Sequence, residues 1–261
     1  MKLSVLGCSG GIGAGLRTTS FLVDDALLID AGTGIGDLPL PILQNIEHVL
    51  ITHCHMDHIA LLPMLCDTKS IAGGKPITVY ALPQTIQALK GHVFNWQIWP
   101  DFAEIPDSDQ PILRWHAVSE GDVLVVGAYR VRVLPANHIV PGVGYAVHTE
   151  QASFAFQGDS GSCAGFWSSL AAEDVDALIL ESAFNDDELD MAVRTKHLSP
   201  SLLAAELLQY AGRAKLLITH PKPGEELLVE AQIAVQLKGR DARLLQNGEV
   251  IEIARIEVAR T

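Results

Sequence analysis

The sequence predicts an α/β (α+β) protein folded as a four-layer αββα sandwich, in which two β-sheets face each other between outer layers of helix. Three observations lead there. Apolar runs of strand length occur in both halves of the chain, helical periodicity follows the strands in each half, and short polar turns separate the runs. Residues 1–261 read as a single domain, because no low-complexity tract, internal repeat or linker interrupts the pattern.

In chain order, strands are predicted over residues 3–6, 20–23, 26–29 and 48–51. The pair Asp24-Asp25 predicts a tight hairpin between the second and third of these. The spacing of Ile59, Leu61, Leu62 and Leu65 predicts a helix over 57–66, with Pro63 confined to its first turns. A strand (77–80) and a helix (85–90) follow, then an irregular stretch, 91–111, read as a loop or lid-like insertion. Phe94, Trp96, Trp99 and Phe102 in that stretch are read first as core packing, with stacking on a base as the alternative. Further strands are expected at 123–126, 129–134, 143–148 and 153–156. The tail alternates strand 177–180, helix 202–210, strand 215–219 and helix 225–237, and ends in a hairpin about Asn247-Gly248.

Composition narrows the function classes. Apolar residues make up 48% and charged residues 19%, the balance of a folded soluble enzyme. No apolar run approaches the ~20 residues of a membrane helix. Eighteen basic residues against 31 acidic ones give a net charge of −13. Such a surface repels a long phosphate backbone, so a large nucleic acid is disfavoured as a partner. A small anionic substrate held at short range by cations remains open. Met1-Lys2 leads straight into a strand, without the basic start and long apolar stretch of a secretory peptide, so the expected location is cytoplasmic. Cys8, Cys54, Cys66 and Cys163 form no C-x-x-C pair or disulfide framework. A homodimer is compatible with all of this.

The densest chemistry lies in His53-Cys54-His55-Met56-Asp57-His58, which follows an apolar strand and opens a helix. Two His residues one position apart can face a single ion from a strand-end loop. The Asp and His on the next turn can reach a second. A lone His at a strand end is more often a surface or hydrogen-bonded residue than a ligand, but a surface turn has no need of three His and an Asp in six positions. Imidazole and carboxylate are the donors zinc takes when it keeps an open position for water. His138, Asp159 and His220 each stand just past another apolar strand, where they would complete a seven-ligand set.

The run resembles the H-x-H-x-D-H signature of the metallo-β-lactamase superfamily, and Asn137-His138, Gly158-Asp159-Ser160 and Thr219-His220 follow in the family's order. The resemblance spans nearly the whole chain. It implies the αββα fold, with His53, His55 and His138 on one divalent ion, Asp57, His58 and His220 on the other, and Asp159 bridging. Zinc is favoured, since His55 stands where di-iron relatives often carry Glu, with Mn2+ or Fe as alternatives.

Two further segments point within that superfamily. Leu6-Gly7-Cys8-Ser9-Gly10-Gly11, with Arg17-Thr18-Thr19-Ser20, resembles the opening of the phosphodiesterase branch, which includes RNase Z and the class II cyclic-nucleotide phosphodiesterases. Lys196-His197-Leu198-Ser199-Pro200 is similar to the G-H-L-[ST]-P segment of the class II enzymes. The resemblance implies hydrolysis of a small phosphodiester, foremost a 3',5'-cyclic nucleotide such as cAMP. His197 would be the general acid, Glu181 its orienting carboxylate, and Asp57 a ligand at the reacting centre. His197 also reads simply as the residue before a helix start, with Ser199 as N-cap and Pro200 in the first turn. Met56, Leu61 and Pro63 depart from the class II pattern and loosen the substrate assignment. RNase Z-like tRNA processing and thioester hydrolysis are the alternatives. Against the former, Gly158 follows His138 by only 20 positions, which leaves no room for a long tRNA-gripping arm.

A rival of another class is carried by Gly7, Gly11 and Gly13, which match the G-x-x-x-G-x-G turn of short-chain dehydrogenases. That family needs Tyr-x-x-x-Lys. Tyr80, Tyr129, Tyr145 and Tyr210 are followed four residues later by Gln84, Val133, Thr149 and Ala214, so a dehydrogenase-like nucleotide binder stays a distant alternative.

Overall fold

The computed structural model describes residues 1–72 and 75–256. Six strands come first: β1 (Lys2–Gly7), β2 (Ser20–Val23), β3 (Leu27–Ile29), β4 (His48–Leu50), β5 (Ile77–Ala81) and β6 (Leu113–Ala117). Then follow β7 (Val123–Val126), β8 (Tyr129–Pro135), β9 (Val143–His148), β10 (Ser153–Phe156), β11 (Ala177–Glu181), β12 (Lys215–Thr219), β13 (Ala242–Leu244) and β14 (Val250–Glu252). They form two seven-stranded sheets, ordered β14-β1-β2-β3-β4-β5-β6 and β13-β12-β11-β10-β9-β8-β7.

Alternation along the strands assigns each side chain to one of three apolar layers. Phe21, Val23, Ile29, Val131, Val133, Phe154, Phe156, Ile179 and Leu217 meet between the sheets. Their neighbours point the other way. Leu22, Leu28, Val49 and Val79 pack under helix Leu62–Ala72 and helix Pro83–His92. Ala155, Leu178, Leu180, Leu216 and Ile218 pack under helix Ala164–Leu170, helix Pro200–Glu206 and helix Glu226–Gln236. Strands covered on both faces need continuous apolar runs, which is why β2, β3 and β10 are wholly buried. Phe21 and Phe156 meet edge to face across the sheets, with ring centroids 5.1 Å apart. Each such ring contributes about 1.5–3 kcal/mol by leaving water. The αββα sandwich is therefore the observed architecture.

The predicted hairpin is present. Asp24 and Asp25 both have positive φ (46° and 59°), and Ala26 N–H donates to Val23 O at 3.0 Å, the geometry of a type I′ turn. The helix predicted over 57–66 is divided into Met56–Ile59 and Leu62–Ala72. Pro63 explains the second start, because it sits in the first turn, where its missing N–H costs nothing. The hairpin expected about Asn247-Gly248 is corrected: β13 belongs to one sheet and β14 to the other, so this turn carries the chain across the sandwich. Edge strand Leu113–Ala117 and helices Leu40–Asn45 and Leu189–Thr195 went unread, since few of their side chains are buried to impose a period. In the 91–111 stretch, Phe94 and Phe102 are core residues of the outer layer, whereas Trp96 is 60% exposed.

Candidate metal centre

Strand direction gathers the candidate residues. β3 and β4 run parallel, β1 runs with them across the antiparallel β2, and β10, β11 and β12 run parallel in the other sheet. The carboxyl ends of these strands meet at one edge of the sandwich, where loops can leave without breaking ladders. Asp30 follows β3, the His53–His58 run follows β4, His138 follows β8, Asp159 follows β10, Glu181 ends β11 and His220 follows β12. The sheets are stitched together there. His220 N–H donates to Cys8 O at 2.7 Å, and the Tyr145 hydroxyl donates to Ile51 O at 2.8 Å.

Two donor sets result. Single donor atoms of His53, His55 and His138 lie within 4.8 Å of one another, as do those of Asp57, His58, Asp159 and His220. His138 Nε2 and His55 Nδ1 are 3.1 Å apart. Two nitrogens on one tetrahedral zinc at ~2.0–2.1 Å would be separated by about 3.3 Å. Asp159 touches both sets: Oδ2 is 3.8 Å from His53 Nε2 and 3.3 Å from His220 Nε2, and Oδ1 is 3.3 Å from His58 Nε2. Asp57 Oδ2 is 3.7 Å from His220 Nε2.

The residues fit divalent ions on grounds of their own. Among the described residues the buried His53 Nε2 has no hydrogen-bond partner, and the buried His58 Nε2 faces only carboxylate, with Asp159 Oδ1 at 3.3 Å. An orphaned buried polar atom costs about 1–3 kcal/mol, which coordination would remove. The opposite ring nitrogens are held: His53 Nδ1 by Thr52 Oγ1 at 3.0 Å, His58 Nδ1 by Asp30 Oδ2 at 2.7 Å, His220 Nδ1 by Thr19 Oγ1 at 3.2 Å and His138 Nδ1 by Lys196 O at 3.1 Å. Such partners fix the tautomer and turn the other nitrogen inward. Burial pushes the His53 and His220 imidazoles well down, and His138 down to about 4, so each keeps the lone pair a metal needs. His58 goes the other way. Burial disfavours its charge, but Asp159 and Asp30 on either side overcome that and hold it well above the usual histidine range.

Among the described residues, three of the six non-glycine positions with positive φ lie at the same edge, Lys196 as the cap that ends helix Leu189–Thr195. Asp30, Lys196 and His220 adopt left-handed φ of 55°, 54° and 71°. Conformations of this kind persist where surrounding structure enforces them, as at functional sites. Asp30, Thr19 and Thr52 had no predicted role. A buried Asp straight after the apolar β3 was the available signal for the first; the hydroxyls gave none.

His197 and Glu181 form a third element. His197 Nδ1 is 2.8 Å from Glu181 Oε1, and the His197 ring lies 4.9 Å from that of His138 and stacks on that of His220 at 5.5 Å. Glu181 is wholly buried and is held by Ser160 N–H at 2.8 Å and Leu198 N–H at 3.3 Å. Burial works against charge on His197, yet Glu181 and Asp159 raise its imidazole above the usual value. Ser199 occupies the N-cap position with Pro200 next, but its hydroxyl meets Ser201 Oγ at 3.2 Å and makes no capping bond to the backbone. A cavity of about 410 Å³ opens beside His138, lined by Leu82, Gln84, Glu120, Asn137 and Ile139.

The αββα sandwich with a His/Asp cluster at the carboxyl edge of both sheets defines the class, a metal-dependent hydrolase. The family model described as "Beta-lactamase superfamily domain" matches residues 26–221, and the chain belongs to that superfamily, in its metal-dependent branch. It is 26% identical over 207 residues to a protein of Yersinia pestis described as a probable 3',5'-cyclic-nucleotide phosphodiesterase, covering 69% of this chain and 58% of that one, less than two thirds of its length. It is 27% identical over 256 residues to ribonuclease Z of Limosilactobacillus reuteri (strain DSM 20016), covering 80% of this chain and 82% of the relative. The metallo-beta-lactamase fold protein YhfI from Bacillus subtilis superposes with a TM-score of 0.77 at 21% identity, over 96% of this chain and 99% of that one. That last likeness bears on the fold.

Proposed function

We propose that this chain is a dinuclear-metal phosphodiesterase acting on a small phosphodiester, foremost a 3',5'-cyclic nucleotide such as cAMP. The observation that carries the reading is His197, braced by Glu181 at 2.8 Å and packed on the rings of His138 and His220. A thiolate leaving group departs without a proton, because the thiolate is a weak base whose conjugate acid has a pKa of ~8.5. An alkoxide needs one. A histidine whose imidazole Glu181 and Asp159 raise above its usual value, beside the donor sets, suits the second case, and general-acid catalysis of this kind contributes about 10²–10⁴-fold.

Zinc ions, with manganese or iron as alternatives, would be held by His53, His55 and His138 and by Asp57, His58 and His220, with Asp159 between. There they supply Lewis-acid activation of water and positive charge for the phosphoryl oxygens. The chain's own groups do the rest. Asp30, Thr19 and Thr52 hold the imidazoles in one tautomer. Glu181 accepts from His197 Nδ1–H and leaves Nε2–H to protonate the departing oxygen. The cavity beside His138 takes the nucleoside side of the substrate, and Glu120 in its lining disfavours a further phosphate there. That fits a small substrate. Between His138 and Gly158 the chain forms the β9–β10 hairpin, with Ser153 opposite His148, and a segment this short supports a small substrate over a tRNA. Four free thiols fit a reducing compartment, the cytoplasm. Among the described residues no helix is long and apolar enough to cross a membrane.

The test is a substrate panel on the metal-loaded protein: cyclic AMP, cyclic GMP, an aryl phosphodiester, a tRNA precursor and a thioester. Turnover of the cyclic nucleotides and the aryl diester supports the proposal. Turnover of the thioester alone overturns it, and preference for the tRNA precursor transfers the chain to RNase Z-like processing.

A further inference from the structure

Lys222 stands two residues past His220 and points back at it. Its ammonium donates to Gly10 O at 3.1 Å and lies 3.4 Å from His220 Nε2. The backbone around it is pinned, with Lys222 N–H on Ala183 O at 2.9 Å and Glu225 N–H on Lys222 O at 2.9 Å. The side chain is half-buried, and among the described residues it forms no ion pair. In a chain with 31 acidic and 18 basic residues, a half-buried ammonium without a carboxylate is conspicuous.

An ammonium has three donors and no acceptor. Gly10 O takes one. His220 Nε2 can take another only while its lone pair is free, and coordination of an ion uses that lone pair. With the centre loaded, Lys222 therefore keeps two N–H donors that no described protein group accepts, and it faces a second cation at close range. An anion between them relieves both problems, because a phosphoryl oxygen accepts the N–H bonds and screens the two positive charges. A neutral acyl group does so far less well.

We infer that Lys222 is a substrate-binding residue of this centre, donating to a non-bridging oxygen of the phosphoryl group and selecting anionic phosphodiesters over neutral acyl compounds. The inference rests on the phosphodiesterase reading above. It assigns to this chain's His220-Pro221-Lys222 turn a discrimination that the metal ligands alone do not provide.

The competing role is structural: Lys222 as a strap tying the Gly10 turn to His220. Lys222→Met and Lys222→Arg in the metal-loaded full chain separate the two, with three readouts. These are metal content, binding of inorganic phosphate by calorimetry, and kcat and KM for bis(4-nitrophenyl) phosphate beside 4-nitrophenyl acetate. Substrate binding predicts unchanged metal content and phosphate affinity weaker by about 10- to 100-fold in Lys222→Met. It also predicts a similar fall in the ratio of kcat/KM for the diester over the ester, carried by KM, with most of both effects restored by Arg. Loss of metal, unchanged phosphate affinity, or an equal fall for both substrates overturns it. A wild-type protein that cleaves no phosphodiester defeats the phosphodiesterase reading, and the phosphate-binding comparison then decides on Lys222 by itself.

Discussion

Asp30 Oδ2 lies 2.7 Å from His58 Nδ1, and both side chains are wholly buried. Asp30 also accepts from the Thr52 N–H and hydroxyl, each at 2.8 Å, so its carboxylate is saturated by donors. The pair directs His58 Nε2 at Asp159 and leaves it no other task. Asp30→Asn keeps the shape and tolerates the left-handed φ of 55°, but it removes the charge and turns an amide donor on existing donors. Affinity for the ion on Asp57, His58 and His220 is expected to fall about 10- to 100-fold. The set on His53, His55 and His138 should change less. A chelator-competition titration reads both, and equal affinities in wild type and variant would reduce Asp30 to a folding role.

His197→Ala is expected to lower kcat by about 10²–10⁴-fold for a substrate with an alkoxide leaving group, with metal content unchanged. The loss should shrink for a nitrophenolate, which departs without help. Glu181→Gln should fall between, since the amide still meets His197 but no longer stabilises its charge. Donor atoms of His138, Asp159 and His197 lie within 4.8 Å of one another, which allows a different outcome. Metal lost from His197→Ala would make His197 a ligand.

How much of this was legible in the sequence depends on where each residue's constraint comes from. Strands such as β10 and β12 are buried on both faces, so their apolar runs had to appear in the chain. The ligand set was legible for a similar reason, because metal chemistry demands particular side chains and local spacing clusters four of them. Asp30 and Thr19 escaped because their partners, His58 and His220, are 28 and 201 positions away. Lys222 escaped because a lysine after Pro221 reads as an ordinary surface charge until Gly10 and His220 are seen beside it. The crossing of the Asn247 turn between sheets was illegible for a further reason: a hairpin and a crossover begin with the same turn residues.

Gly10 marks a contact that only a missing side chain permits. A Cβ there would stand 2.7 Å from His220 O, 2.9 Å from His220 Cδ2 and 3.0 Å from His220 Nε2. The Gly10 N–H is bonded to Pro221 O at 2.9 Å, so the turn cannot retreat without losing that bond. Gly10→Ala should therefore displace the imidazole and weaken the ion it would hold by at least about tenfold, by analogy with loss of a ligand's support. The three-His set lies away from this contact and should keep its ion. Metal analysis after dialysis reads the difference, and full retention in the variant would mean that the His220 loop adjusts.

Lys69 offers a prediction away from the centre. Its side chain is wholly buried under the first sheet, and its Nζ donates to Gln44 O at 2.8 Å and to Ile46 O, just past helix Leu40–Asn45. Burial pushes the ammonium down from 10.5 to about 8, partly offset by Glu47. A neutral amine still has two N–H bonds for these two carbonyls, so deprotonation costs no hydrogen bond. The unfolded chain then binds more protons than the folded one between about pH 8 and 10.5, and stability from this group rises with pH across that window. Below pH 8 both states are protonated and the full burial cost remains. Other groups titrate in the same range, so the informative quantity is wild type minus Lys69→Met, from denaturant unfolding at pH 7.5 and pH 10. The difference should grow in favour of wild type by an amount on the order of 1–3 kcal/mol. A flat difference would show that the carbonyl bonds hold the ammonium charged, with its folded pKa near that of the unfolded chain.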